Sequence, residues 1–120
     1  MKVVINDCHG GFGLSDDALK MFLDRKGIEY RTVEMERGAF GNNKLMFYLA
    51  DWPNSNDSAI YDRDITRHDP DLVRIVEELG ENAGSWSSKL KIVEIPDDIE
   101  WQIEEYDGLE WVAEKHRIWK

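Results

Sequence analysis

The sequence predicts an α/β (α+β) domain: a small mixed sheet with an N-terminal β-α-β unit, one further helix and a C-terminal β-hairpin. Three observations predict it. Val3, Val4 and Ile5 form a short apolar run that leads through a glycine-rich turn into a helical pattern. Asp69-Pro70 opens a second helical pattern, a capping side chain followed by proline where no N–H is needed. Asp107-Gly108 separates two alternating segments, a hairpin signal. At 120 residues, 42% of them apolar, the chain is expected to form one domain, residues 1–120, around one core.

The elements follow in order. The run Val3–Ile5 suits a strand buried on both faces. Residues Asn6 to Ser15 read as the turn, with Gly10, Gly11 and Gly13. Ser15 is the N-cap of a helix over Asp16–Lys26, whose Ala18, Leu19, Phe22 and Leu23 recur at helical spacing before Gly27. Residues 28–35 read as a second strand, and the β-α-β order predicts a parallel pair with a right-handed crossover. A loop is expected over Arg37–Asn43, a strand over Lys44–Ala50, a loop over Asp51–Ser58 and a short strand from Ala59 to Asp62. Asn56-Asp-Ser58 matches a glycosylation sequon by chance. The second helix has an apolar face of Leu72, Val73, Val76 and Leu79 and ends at Gly80. Glu81–Ser88 reads as a loop around Trp86, and Leu90–Ile95 as a strand stopped by Pro96. Ile99, Trp101 and Ile103 alternate with polar residues, and Leu109, Trp111 and Ala113 alternate with Glu110, Val112 and Glu114. The tail is Lys115–Lys120.

The charge narrows the function. Acids outnumber Lys and Arg by 25 to 15, a net charge of −10, which argues against general duplex binding. It leaves a solvated acidic surface, a local basic pocket for a small nucleotide, or imitation of nucleic acid toward a basic partner. Cys8 is the only cysteine, so no intrachain disulfide can form and a reducing cytoplasm fits. No apolar run approaches the roughly 20 residues of a membrane span, and the N-terminus lacks a signal-peptide pattern.

The glycine turn is the leading candidate site. A strand, a glycine loop and a helix N-terminus can present backbone N–H groups and a favourable dipole to an anion. Asn6, His9, Gly10, Gly11, Phe12, Gly13 and Ser15 are the ligand-binding candidates there. The turn has neither the P-loop spacing nor the Gly-x-Gly-x-x-Gly order, so the glycines also fit a tight turn alone. Asp7 and His9 project to one side of an extended segment, where they could form a general base pair or hold a metal. No HExxH or CxxC supports a metal, and no cofactor is expected. Arg63, Arg67 and Arg74 flank the second helix start. They could meet a phosphate or form ion pairs with neighbouring acids. Trp86 and Tyr106 are candidates for stacking on a base, and Trp86 equally for plugging the core. Glu104, Glu105, Glu110 and Glu114 read as a solvated face; two of them could instead read ribose hydroxyls.

Three stretches carry a resemblance: Val3-Val-Ile-Asn6 with the glycine turn to Ser15, Arg67-His-Asp-Pro-Asp-Leu-Val73 through Gly80, and Leu90–Pro96 through Gly108 and His116-Arg-Ile-Trp119. They resemble a family of small phage and prophage proteins. The resemblance implies a phage setting in a host cytoplasm and, by analogy, a counter-defence role. The strand, Asp7-Cys8-His9 loop and helix are also weakly similar to ribose-5-phosphate isomerase B. The leading expectation is a protein that sequesters a nucleotide-derived, cyclic immune signal without turnover, as a homo-oligomer with pockets at subunit interfaces. The alternatives are an acidic inhibitor of a host defence factor or nuclease, and a small nucleotide or sugar-phosphate hydrolase or isomerase using Asp7 and His9.

Overall fold

In the computed structural model, residues 1–35, 44–50 and 58–115 are described. The loop read at Arg37–Asn43, the Asp51–Ser58 loop up to Asp57 with its sequon, and the tail beyond Lys115 lie outside them. The chain runs β1 (Lys2–Asn6), α1 (Asp16–Arg25), β2 (Tyr30–Met35), β3 (Lys44–Leu49), β4 (Ala59–Ile60), α2 (Pro70–Leu79), β5 (Leu90–Glu94), β6 (Trp101–Tyr106) and β7 (Leu109–Glu114). Short 3₁₀ turns lie at Asp62–Asp64 and Gly80–Ala83. This is an α+β fold closed by a C-terminal hairpin. No helix among the described residues is long and apolar enough to cross a membrane.

Both helices start where their caps require. The Ser15 hydroxyl accepts the Ala18 N–H at 3.2 Å, and the Asp69 carboxylate accepts the Asp71 N–H at 2.8 Å, with Pro70 in the first turn. α1 buries Ala18, Leu19, Phe22 and Leu23, and α2 buries Leu72, Val73, Ile75 and Val76. These two faces meet Val4 of β1, Phe47 of β3, Leu14 and Ala83 in one core.

The strand pairing corrects the expected parallel β-α-β unit. β1 does not pair with β2; it pairs antiparallel with β5, from Lys2 opposite Glu94 to Asn6 opposite Leu90. β2 pairs antiparallel with β3, which pairs antiparallel with β4, and β6 and β7 form a third sheet. Every pairing among the described residues is thus antiparallel, where a mixed sheet was expected. The run Val3–Ile5 is as buried as a parallel strand would be, with exposures of 0 to 2%. The cover comes from α2 and from β7, both packed against β1, instead of from a second crossover helix. β2 shows the opposite character: Arg31, Thr32 and Glu34 are exposed, which suits a half-solvated antiparallel sheet.

The hairpin turns at Asp107 (φ 49°) and Gly108 (φ 89°), both in the positive region that a two-residue primed turn demands. That turn sets Tyr106 opposite Leu109, Glu104 opposite Trp111 and Ile103 opposite Val112. Because side chains alternate between faces, the apolar sets of the two strands do not coincide. Trp101 and Ile103 share a face with Glu110 and Val112; Leu109, Trp111 and Ala113 share the other with Gln102, Glu104 and Tyr106.

Candidate functional site

The glycine turn sits where three segments converge. On one side is the loop 84–88 and on another the hairpin turn 107–108. A Cβ on Gly10 would lie 1.6 Å from the Ser87 carbonyl oxygen, so only glycine permits this contact. Gly108 is also packed tightly, since a Cβ there would lie 2.5 Å from the Gly11 nitrogen and 2.6 Å from the His9 carbonyl oxygen. Gly13 is buried, and its carbonyl accepts the Ser88 hydroxyl at 2.7 Å and the Ser85 N–H at 3.1 Å. The turn is therefore stitched to its neighbours by backbone and hydroxyl groups.

Asn6 is the hub of this junction. Its side chain is fully buried. The amide Nδ2 donates to the carbonyls of Cys8 at 2.7 Å and Gly108 at 2.8 Å. Oδ1 accepts the Lys89 N–H at 2.9 Å. The Cys8 Sγ lies 3.4 Å from Asn6 Oδ1 and 3.2 Å from the Ser87 carbonyl, so its one S–H is satisfied inside the fold. One amide thus links β1, the glycine turn, the hairpin turn and the start of β5, with its donors and acceptor spent on the protein itself.

Arg67 is equally committed. Its guanidinium donates to both Glu110 carboxylate oxygens, at 2.6 and 2.9 Å, and to the Val4 carbonyl at 3.3 Å, and its Cζ lies 3.4 Å from the Phe12 ring centroid. The two side chains are 15% and 6% exposed. Glu110 also accepts the Asn6 N–H at 2.8 Å, while the Val4 N–H donates to the Arg67 carbonyl at 2.8 Å. These bonds occupy the edge of β1 that faces away from β5. Glu110 was expected on a solvated face, and the structure corrects this: it is buried, and the register of the hairpin puts it there.

Ser15 caps α1 and ties it to the turn 80–83. Besides capping, its hydroxyl donates to the Asn82 carbonyl at 2.7 Å, and its N–H donates to the Ala83 carbonyl at 2.8 Å. The Leu14 N–H is taken by the Asp62 carboxylate at 2.9 Å. The N–H groups of Leu14, Ser15 and Ala18 at this helix start are therefore engaged.

The remaining candidates separate. Asp7 donates its N–H to the Lys89 carbonyl at 2.7 Å, and its carboxylate stands 3.6 Å from Lys91 Nζ. His9 is exposed, with Nδ1 3.3 Å from the Asp107 carbonyl. No hydrogen bond joins Asp7 to His9, and among the described residues no three His, Cys, Asp or Glu side chains gather as a metal site would need. Arg63 is exposed, its guanidinium 4.6 Å from the Tyr61 ring centroid. Trp86 is 77% exposed and Tyr106 71% exposed, so Trp86 does not plug the core. Each is carried by a segment that clamps the glycine turn. The hairpin adds Trp111, 41% exposed, whose indole N–H donates to Glu104 at 3.0 Å. Glu105 and Asp107 are exposed on either side of Tyr106.

No family model, curated protein or solved structure matches this chain.

Its site is therefore read from geometry alone. Sequence reasoning missed Asp62 and the three serines 85, 87 and 88 as partners of the turn. It missed Glu110 despite a usable signal: counting outward from a two-residue turn at Asp107-Gly108 puts Glu110 on the face of Ile103 and Val112.

Proposed function

We propose that this chain is a binding protein that performs no chemistry and uses an acidic, aromatic-bearing surface to occupy a basic groove on a partner protein. The observation that carries the reading is the exposure of Trp86 and Tyr106 on the two segments that grip the glycine turn. Large aromatics left in water on a rigid support are costly unless they meet a partner, and Trp and Tyr dominate the energetics of protein contacts. The setting is acidic, with Glu104 on the same face as Tyr106, Asp107 next to it at the turn and a net charge of −10. Such a surface complements a basic groove and steers association with it. The resemblance to small phage and prophage proteins suggests the partner: a host defence factor or nuclease.

The test is capture from host extract at low and raised salt, with wild type and a Trp86→Ala/Tyr106→Ala variant, followed by reconstitution with the purified partner. This reading expects one specific partner, lost in the variant and weakened as salt rises. Its refutation is a partner that binds the variant and wild type equally.

Sequestration of a cyclic nucleotide is a second reading. It is favoured by the same exposed Trp86, which offers a base an open stacking face. In that case the phosphate contacts come from groups other than Asn6, Ser15 and Arg67, whose donors are engaged. Thermal unfolding against a nucleotide panel separates the two readings. A ligand at about 100 times its dissociation constant stabilises by roughly 2.7 kcal/mol.

A further inference from the structure

A concavity of about 280 Å³ lies between the start of β1 and the first turns of α2, away from the glycine turn. Lys2, His68, Pro70, Val73, Arg74 and Glu77 line it. Its charge runs against the rest of the chain. The carboxylates of α2 are already matched: Asp71 meets Lys26 Nζ at 2.9 Å, Glu77 meets Lys2 Nζ at 3.5 Å, and Glu78 meets Arg25 at 2.6 Å. Arg74, exposed in the middle of the same helix, has no carboxylate partner among the described residues. Among the described arginines it is the one that lines this concavity.

The other walls define what could accompany an anion. Pro70 and Val73 give an apolar surface. The His68 ring is held edge-on to Trp101, with centroids 5.3 Å apart and planes at 89°. Lys2 is half exposed and only loosely paired with Glu77, so it can turn toward an incoming anion at little cost. The geometry points to a second binding site, independent of the aromatic surface, for a small organic anion: an anionic group held by Arg74 and Lys2, joined to a flat apolar body resting on Val73, Pro70 and the His68 ring. A planar guanidinium suits a phosphate monoester, which it can engage through two parallel N–H donors.

The test is a two-dimensional NMR titration of the intact protein with phenyl phosphate, with inorganic phosphate and phenol as separate arms. Saturable shifts confined to Lys2, His68, Val73, Arg74 and their neighbours are expected with phenyl phosphate, and weaker binding in the other two arms. Arg74→Gln should weaken phenyl phosphate binding by about tenfold or more, the worth of one charge-assisted hydrogen bond. Arg74→Lys should retain part of it. Trp86→Ala should bind as wild type, which keeps this site distinguishable from the partner surface. Absence of saturable shifts at millimolar phenyl phosphate, or equal binding by Arg74→Gln, overturns the proposal.

Discussion

The Arg67 guanidinium and the Glu110 carboxylate meet along two bonds of 2.6 and 2.9 Å, and together they close the free edge of β1. Glu110 takes the Asn6 N–H, and Arg67 supplies a carbonyl to Val4 and a donor back to it. Side chains thus do along this edge what a further strand would do in a larger sheet. They also dock the hairpin on the core. Removing either partner leaves a charge with little access to water. Glu110→Ala should cost about 3 kcal/mol, the low end for breaking a buried pair. In an Arg67→Met/Glu110→Leu variant the loss should fall well short of the sum of the single losses, because no charge is stranded. Urea unfolding of Glu110→Ala, and of wild type, Arg67→Met, Glu110→Leu and the double variant as a cycle, checks both statements.

Gly10 should tolerate no side chain. A Cβ there meets a backbone oxygen at 1.6 Å, so Gly10→Ala must displace the loop that carries Trp86. A loss of about 2 kcal/mol or more is expected, within the range for overpacking. Gly11→Ala meets open space and strains only a φ of +86°, so it should cost about 1 kcal/mol. Equal losses in thermal unfolding would mean that the Ser87 contact is not the constraint.

Asn6→Ala should destabilise strongly although it removes no apolar packing. It would orphan the Lys89 N–H and the carbonyls of Cys8 and Gly108 at one buried point. Unsatisfied buried groups cost about 1 to 3 kcal/mol each, partly recovered if water enters. Hydrogen exchange should show the hairpin turn and the start of β5 loosening together, since the same amide ties both.

Asp69 gives the acid dependence its sign. Burial pushes its carboxyl up, but the Lys26 hydrogen bond and the N–H groups of Asp71 and Leu72 outweigh burial and hold it below its ordinary value. A lowered carboxylate contributes stability above its unfolded pKa of about 4, and that contribution is lost as pH falls through the folded value. Lys26 is raised by the Asp71 and Asp69 hydrogen bonds, so its contribution is present at neutral pH and fades only as pH rises through that elevated value. Asp69→Asn keeps a capping oxygen and removes the titration. Its stability curve below about pH 4 should be flatter than that of wild type.

Much of the fold was legible because local chemistry fixes local structure. Ser15 and Asp69 mark helix starts, the apolar spacing of Leu72, Val73 and Val76 marks a buried face, and Asp107-Gly108 demands one turn type. Pairing was not legible. The run Val3–Ile5 reports burial on both faces, and burial does not say whether a crossover helix or a hairpin provides the cover. The surroundings of the glycine turn were not legible for a related reason. A glycine loop before a helix looks the same in sequence whether the glycines open space for a phosphate or remove it for a neighbouring chain. At Gly10 the neighbour is Ser87, 79 residues from Cys8 in the same turn, and only tertiary structure brings it there. Trp86 was the reverse case, since small polar neighbours left its exposure open until the loop was placed.

The central claim is that the glycine turn is a structural junction which displays Trp86 and Tyr106 to a protein partner. The most direct measurement compares partner binding and thermal unfolding for wild type and Trp86→Ala/Tyr106→Ala side by side. The account predicts that partner binding is lost while stability stays within about 0.5 kcal/mol per exposed site. Undiminished partner binding by the variant would contradict it.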